Sequence, residues 1–322
     1  MVEAAPSPAA SAPVRTERTD CVLCGCREHE WLGQAPDFEY GTCAEELPFV
    51  RCAACGHVYL GERPAPSELS RIYPEDYGNH DATRERALTF RVKSWLDGRS
   101  VRKLARRAPD APRVLDVGCA DGRLLDVCKV ALPDAHCLEG IEVSERAARG
   151  ARDKGYTVRI GSVDDITLPE GAYDLVFLQQ VIEHVYQPDR VLRMLGRALC
   201  PGGVLVLETP CVEGLDFRLF QRRYWGGYHA PRHFNLFNAA GLAVLGAAAG
   251  LSPVEQAHTP QPIHWVWSLR HWLTERGAPE AFTRPLHIQN PFAIGAATAI
   301  ELGAWLVSGR MSNLRVVFTR LR

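Results

Sequence analysis

The stretch that decides the fold is Val114-Leu115-Asp116-Val117-Gly118-Cys119-Ala120-Asp121-Gly122. Its apolar first half favours a β-strand, and a helical pattern begins after the second glycine. Glycines let the backbone turn sharply and come close to a ligand. In nucleotide-binding folds of this kind, an acidic residue about 20 positions further on binds the ribose hydroxyls. Glu142 stands at that place, so the stretch predicts a cofactor site.

The acidic residue inside this loop indicates which cofactor it suits. A dinucleotide-binding loop reads G-x-G-x-x-G, whereas here Gly118 and Gly122 enclose Asp121. A carboxylate opposes a pyrophosphate but suits a cationic sulfonium. The loop therefore favours S-adenosylmethionine (SAM) over NAD, and a tight strand–helix turn without a ligand is the alternative.

Strands and helices alternate from Arg113 to about Gln256, which predicts an α/β fold with a mostly parallel sheet. The predicted strands are Arg113–Val117, Cys137–Glu142, Thr157–Gly161, Leu175–Leu178, Val204–Glu208 and a closing Leu314–Thr319. The predicted helices include Gly122–Ala131, Ser144–Lys154 and one that Asn238 caps and Gly250 ends. Apolar spacing between Thr83 and Arg107 predicts two helices broken near Gly98.

Further motifs follow in a fixed order along the chain. They are Gly161-Ser162-Val163-Asp164-Asp165, Tyr173-Asp174-Leu175-Val176-Phe177, Glu183-His184-Val185 and Leu199-Cys200-Pro201-Gly202-Gly203-Val204. With the glycine loop, this set over residues 113–256 resembles the class I SAM-dependent methyltransferases. The resemblance implies a Rossmann-like seven-stranded methyltransferase sheet.

The resemblance also implies roles for matching positions. The cofactor-binding set would be Asp116, Gly118, Cys119, Gly122, Glu142, Val143, Asp164 and Gln180. Glu142 would hold the ribose, Val143 would lie beside the adenine and Asp164 would face the adenine amine. Ala120 departs from the glycine of many members, and a negative φ there would make its methyl group tolerable.

Six of the eleven cysteines lie between residues 20 and 60. Cys21-x-x-Cys24 and Cys52-x-x-Cys55, each followed by glycine, predict two metal-binding turns that hold one structural zinc. Reduced thiols without a metal are the alternative, and Cys26 is a substitute ligand in preference to Cys43. Because four thiolates leave no open position, the zinc would not be catalytic.

This front end is similar to the zinc-ribbon-like N-terminus of some bacterial sugar and natural-product methyltransferases. The stretch Ile72-Tyr73-Pro74-Glu75-Asp76-Tyr77 shares that resemblance. In that group the tyrosine-bearing connector lies near the cofactor. Tyr77 is therefore a further cofactor-binding candidate, with an aromatic anchor for the connector as the alternative.

Histidines supply the candidates for catalysis, because an acceptor hydroxyl needs a general base and histidine is the commonest one. His184 follows the fourth predicted strand. His229 and His233 lie in the segment Tyr224–Phe234, which follows the fifth strand and is rich in aromatic residues. We prefer His229 as the base, with Arg232 and His233 as substrate or structural supports.

Composition limits the class of protein. The 322 residues carry a formal net charge of −1, which gives no support for nucleic-acid binding. Eleven cysteines without an export signal indicate reduced thiols in a cytoplasmic protein. We expect a disordered tail over residues 1–19, a zinc-ribbon-like module over 20–60, a connector with helices over 61–110 and a methyltransferase domain over 111–322. A helical insertion is expected at about 258–312.

The segment Phe292–Ser308 is almost wholly apolar. It contains Glu301 and is shorter than the roughly 20 residues of a membrane-spanning helix. Gly295, Ala299 and Gly303 form a stripe of small residues. A packed or homodimer-forming helix is the preferred interpretation, and contact with a membrane surface is the alternative.

Together these features predict a methyltransferase that transfers a methyl group from SAM to a hydroxyl of a sugar, glycan or specialised metabolite. A sugar C-methyltransferase is one alternative. A non-catalytic SAM-binding assembly protein, which would use the zinc module to bind partners, is another.

Overall fold

The computed structural model of the chain describes residues 13–73 and 88–321, with side chains of the second range from residue 94 onward. The strands are β1 (Thr16–Arg18), β2 (His29–Ala35), β3 (Leu47–Cys52), β4 (Val58–Leu60), β5 (Glu62–Pro64), β6 (Arg113–Val117), β7 (Cys137–Glu142), β8 (Thr157–Ile160), β9 (Tyr173–Gln179), β10 (Leu199–Pro210), β11 (Asn235–Leu236), β12 (Leu251–Thr259) and β13 (Asn313–Arg320). The helices are α1 (Leu69–Ile72), α2 (Leu88–Ala105), α3 (Arg123–Ala131), α4 (Glu145–Asp153), α5 (Pro188–Ala198), α6 (Leu215–Phe220), α7 (Ala239–Ala248), α8 (Pro262–Glu275), α9 (Glu280–Thr283) and α10 (Pro291–Ser308).

The described residues form two compact units. The first contains residues 13–73, Cys211–Leu236 and Pro260–Ser312, and the second contains residues 88–210, Phe237–Thr259 and 313–321. This grouping differs from the sequential division expected from the sequence, because the helical insertion falls in the same unit as the cysteine-rich N-terminal residues.

The second unit is built on a seven-stranded sheet in the order β12-β13-β10-β9-β6-β7-β8. Neighbours from β10 to β8 pair in parallel, while β13 runs antiparallel to both β10 and β12. Buried apolar side chains such as Val114, Leu175 and Val206 pack beneath helices on the sheet. The predicted Rossmann-like sheet of seven strands is confirmed.

The helix α2 runs without a break, so the interruption predicted at Gly98 is wrong. A single glycine costs a helix only about 1 kcal/mol relative to alanine. Packing outweighs that cost, since Val101 and Leu104 lie in the same buried cluster as side chains of α3. An ion pair of 2.7 Å between Asp97 and Arg123 also joins the two helices.

The first unit contains an antiparallel sheet in the order β11-β4-β3-β2 and a two-stranded ribbon of β1 and β5. Strand β11 pairs with β4 although the two are far apart in the chain. The fully buried Arg232 explains part of this grouping. Its guanidinium donates to Asp37 at 2.9 and 3.1 Å and to the carbonyl oxygen of Ile72 at 2.7 Å.

Candidate functional site

The glycine loop of the second unit is fastened to the neighbouring strand. The backbone N–H groups of Gly118 and Cys119 both donate to the carbonyl oxygen of Ile141, at 2.8 and 3.0 Å. Gly118 has φ +76°, and a Cβ there would lie 2.5 Å from Cγ2 of Val181. Only glycine fits both the backbone conformation and the close packing at this position.

Glu142 lies at the end of β7 and faces this loop. Its carboxylate accepts hydrogen bonds from the backbone N–H of Ala120 and of Ser144, each at 2.9 Å. A carboxylate has about four lone-pair positions, so these two bonds leave acceptor capacity for ribose hydroxyls. The structure therefore places Glu142 against the glycine loop, as the sequence predicted.

Two details of the loop bear on the expectations from the sequence. Ala120 has φ +48° rather than the negative φ that would make its methyl group tolerable. Asp121 lies 3.5 Å from the ammonium of Lys154, but that ammonium lies closer to Asp126, at 3.0 Å, so one lysine is shared by two carboxylates. Negative charge therefore remains at the loop, and a preference of Asp121 for a cationic ligand stays a prediction.

The side chains of Asp116, at the end of β6, and of Cys119, within the loop, are both buried. Burial raises the pKa of Asp116 to about 7, against the opposing charge of Arg123. The thiol of Cys119 packs so closely on Gly140 that a Cβ there would lie 2.3 Å from the sulfur. Burial raises the pKa of this thiol, which keeps it uncharged.

The remaining predicted cofactor residues follow the next strands. Gln180 comes directly after β9, with φ +54°, and its side-chain amide donates to Asn313 at 2.9 Å. Asp164 accepts from the backbone N–H of Tyr186 and of Gln187, at 3.3 and 3.4 Å. Val143 is 68% exposed. Tyr77 lies outside the described residues, and the cofactor roles of all these residues stay predictions.

His229, in the first unit, contacts the carboxylate of Glu39 through Nδ1. Burial alone would raise the pKa of Glu39, but the charge of His229 and their hydrogen bond outweigh burial and lower it. In the neutral form of the ring, Nδ1–H donates to Glu39 and the lone pair lies on Nε2. A histidine held in this way has the tautomer that a general base needs.

The other histidine candidates are placed differently. Nδ1 of His233 lies 2.8 Å from the carbonyl oxygen of Gly227, so this ring binds its own segment. His184 ends a single turn of 3₁₀ helix, Ile182–His184, in the second unit. Arg232 is fully buried and bonded to Asp37 and the backbone, which is typical of a structural support.

The side chains around His229 form a small cavity within the first unit. Phe38, Trp225 and His271 line it together with Glu39 and His229. The ring of His271 stacks on Phe38 with centroids 4.1 Å apart. Burial lowers the pKa of His271 to about 4, so this ring is uncharged at neutral pH.

The two cysteine pairs of the first unit converge. Their four sulfur atoms lie within 4.8 Å of one another, with 3.5 Å between Cys21 and Cys55 and 3.5 Å between Cys24 and Cys52. Gly25 and Gly56, with φ +71° and +73°, complete the turns. The thiol of Cys26 instead points to the carbonyl oxygen of Glu28, at 3.6 Å.

A family model for a methyltransferase domain matches residues 85–256, more than half of the chain. The chain belongs to the class I SAM-dependent methyltransferases. The matched range contains the glycine loop, Glu142, Asp164 and Gln180. SAM is the cofactor of this family, and the loop beside Glu142 offers the carboxylate and the close backbone approach that such a cofactor needs.

This methyltransferase is similar to curated proteins over part of its length. It is 30% identical over 159 residues to a ubiquinone biosynthesis O-methyltransferase from Bordetella avium, covering 44% of this chain and 62% of that protein. It is 29% identical over 154 residues to the 27-O-demethylrifamycin SV methyltransferase of Amycolatopsis mediterranei, covering 44% of this chain and 53% of that protein. The chain thus spans less than two thirds of either relative.

Solved structures share the fold of the methyltransferase. A chain of the complex between a Haloferax volcanii methyltransferase activator and a methyltransferase aligns with a TM-score of 0.50, at 16% identity, covering 75% of this chain and 95% of that one. A sarcosine dimethylglycine methyltransferase structure from Galdieria sulphuraria aligns with a TM-score of 0.51, at 14% identity, covering 76% of this chain and 92% of that one. At these identities the likeness extends to the fold alone.

Glu39 lies at the candidate site of the methyltransferase but was not predicted from the sequence. It stands far from His229 in the chain and belongs to no recognisable motif. Nothing short of the tertiary fold pairs the two, because the contact depends on how residues 211–236 pack against the N-terminal sheet within the first unit.

Proposed function

We propose that this methyltransferase transfers the methyl group of SAM to a hydroxyl group of a small-molecule acceptor. The observation that carries the choice of a hydroxyl is the pairing of His229 with Glu39 beside aromatic side chains. An alcohol must lose its proton to a base before or during methyl transfer, and a carbon acceptor must lose one as well. A neutral amine can attack through its own lone pair, so the pairing favours a hydroxyl over an amine.

The proposed mechanism assigns each residue a separate task. When bound, SAM supplies a methyl group made electrophilic by the sulfonium. Glu142 holds the cofactor through the ribose hydroxyls, as carboxylates at this position do in related folds. His229 takes the hydroxyl proton on Nε2, and Glu39 orients the ring and stabilises the imidazolium that results.

The names of the relatives support the same acceptor chemistry. Both the Bordetella and the Amycolatopsis proteins are named for methylation at oxygen. Within this class, a sugar, a glycan and a specialised metabolite all offer the required hydroxyl. The cysteine-rich front end favours a second candidate, a sugar C-methyltransferase, which the position of the new methyl group in the product would distinguish.

A crossed pair of variants tests the proposal with radiolabelled SAM and a panel of sugar and alcohol acceptors. We expect His229→Ala to lower turnover by about 10²–10⁴-fold, the usual share of a general base, with unchanged SAM affinity. We expect Glu142→Ala to weaken SAM binding by about 10- to 100-fold, the worth of hydrogen bonds to a charged group. Phenols are excluded from the panel because they ionise without help.

Matched controls separate these roles from general damage. His136→Ala removes an exposed histidine of the second unit, and Glu139→Ala removes a carboxylate from the same strand as Glu142. Both should keep turnover and SAM affinity. Full turnover of alcohols by His229→Ala would move the base to His184 or His233. Methyl transfer to any acceptor would exclude a non-catalytic SAM-binding protein, and absence of transfer to every sugar and alcohol would contradict the proposed hydroxyl acceptor.

We also propose that Cys21, Cys24, Cys52 and Cys55 hold one structural zinc ion. Four sulfurs at the usual Zn–S distance of about 2.3 Å form a tetrahedron with edges of about 3.8 Å. The separations of 3.5 Å and the limit of 4.8 Å among these sulfurs fit that size. The ion would fix the two turns and take no part in methyl transfer.

A further inference from the structure

Helix α10 of the first unit is apolar but largely uncovered. It has 18 residues, a mean hydropathy of 1.4 and only 11% of its residues buried. Phe292, Leu306 and Val307 are 86%, 78% and 91% exposed. Soluble proteins rarely leave a continuous apolar surface of this extent in water, so the helix requires something to cover it.

One narrow stripe of the helix packs within the first unit. Ala293, Ile294 and Ala297 contact the apolar side of α8, including Trp265 and Val266. The rest of the circumference carries exposed apolar side chains, from Trp305 through Leu306 to Ile300. At about 100° per residue these side chains cover roughly 220° of the helix.

The charged side chain of helix α10 is buried. Glu301 is 1% exposed, and its oxygens accept the backbone N–H of Gln261 at 2.9 Å and of Ser312 at 2.7 Å. Among Asp, Glu, Lys and Arg, it is the only one between Pro291 and Ser308. The exposed face is therefore entirely uncharged.

Basic and aromatic residues lie before and after this helix in the chain. Between residues 275 and 312 the exposed charges are Arg276, Arg284 and Arg310 against Glu275 and Glu280. Glu275 pairs with Arg223 at 2.7 Å and Arg310 with Glu213 at 3.3 Å. Phe282 is 66% exposed and precedes the helix. Arginines attract anionic lipid headgroups, and aromatic rings favour the boundary between headgroups and acyl chains.

We propose that α10 is a membrane-docking helix that lies in the surface of an anionic lipid bilayer. A second copy of the chain would cover one stripe of about 100° or a little more, as paired helices do. A bilayer covers the wide apolar arc at once, and its negative headgroups match Arg276 and Arg284, which precede the helix in the chain. A helix of 18 residues, about 27 Å long, then lies flat with its apolar side among the acyl chains. The inference does not depend on the proposed methyl acceptor.

Vesicle flotation of the full chain tests the docking helix. We expect binding to vesicles of phosphatidylcholine with phosphatidylglycerol, and weaker binding to phosphatidylcholine alone or at high salt, because salt screens the arginines. Leu306→Asp with Val307→Asp should weaken binding by about tenfold or more, since burying one leucine-sized side chain is worth that much.

The matched control is Val130→Asp with Val244→Asp. These valines are 80% and 55% exposed on helices of the second unit, so the control adds the same charge elsewhere and should bind vesicles like the wild type. Equal binding by the Leu306/Val307 variant would overturn the proposal. So would a wild type that ignores anionic vesicles but sediments as a dimer that the Leu306/Val307 variant disrupts.

Discussion

At the scale of single residues, the second unit holds a carboxyl group in an unusual state. Glu183 is fully buried just after β9, and the hydroxyl of Thr209 donates to it at 2.9 Å. Burial raises its pKa to about 8 from an ordinary value of 4.5. At neutral pH Glu183 is therefore protonated in the folded protein and ionised in the unfolded chain.

This difference predicts the effect of Glu183→Gln on stability. Because the folded-state pKa is raised, the folded protein loses stability as the pH rises from about 4.5 to about 8. Glutamine keeps the shape without ionising, so the variant should gain about 1–3 kcal/mol over the wild type at pH 8 and little at pH 5. Thermal unfolding at the two pH values measures this, with the exposed Glu170→Gln as control. A variant less stable than the wild type at pH 8 would contradict the raised pKa.

How far residues could be predicted from the sequence depended on whether their partners are local. Gly118 and Glu142 were identifiable because strand ends and glycine turns leave a pattern within about 25 residues. In the structure, His229 contacts Glu39 and Asp121 lies near Lys154, and each of these partners belongs to a different part of the fold. No periodicity marks such contacts, so the ion pair of Asp121 and the orienting carboxylate of His229 were not predictable.

At the scale of elements, the turn from β6 to α3 contains a strained position. Ala120 has φ +48°, in the left-handed region that costs a non-glycine residue roughly 1–2 kcal/mol. Its backbone N–H is nevertheless needed there, since it donates to Glu142. The strain is tolerated because the loop must present that N–H at the end of the strand.

Ala120→Gly should therefore raise stability by about 1 kcal/mol, because glycine relieves the strain and keeps the backbone hydrogen bond. SAM affinity should be retained. Ala147→Gly, in the first turn of helix α4, is the control and should lower stability by about 0.5–1 kcal/mol. Chemical denaturation of both variants provides the comparison, and a loss of stability in Ala120→Gly would show that the methyl group is stabilising where it stands.

At the scale of the whole molecule, the chain passes between the two units several times. Most strand positions in the sheet could be predicted from local patterns, but the grouping of residues 211–236 and 260–312 with the N-terminal residues could not. That grouping rests on contacts between distant segments, such as Arg232 with Asp37 and the pairing of β11 with β4. Such contacts have no trace in the spacing of apolar residues.

Because α6 and α8 belong to the same unit as the four cysteines, we expect loss of zinc to affect these helices as well. Cys52→Ser with Cys55→Ser should lose about one zinc per chain by metal analysis, whereas Cys26→Ser should keep it. Because metal ligation is coupled to folding, hydrogen exchange should accelerate in β2 to β4 and also in α6 and α8, which belong to the same unit. Strands β6, β9 and β10 belong to the other unit and should keep their protection.

Metal analysis tests whether zinc is bound, and hydrogen exchange tests whether the zinc site is coupled to the rest of the first unit. Unchanged metal content in Cys52→Ser with Cys55→Ser would refute the zinc site itself. Loss of zinc with faster exchange confined to β2–β4 would leave the zinc site standing but refute its coupling to residues 211–236 and 260–312. Since those segments include His229, coupled loosening should also lower turnover while SAM binding, which depends on Glu142 of the second unit, is retained.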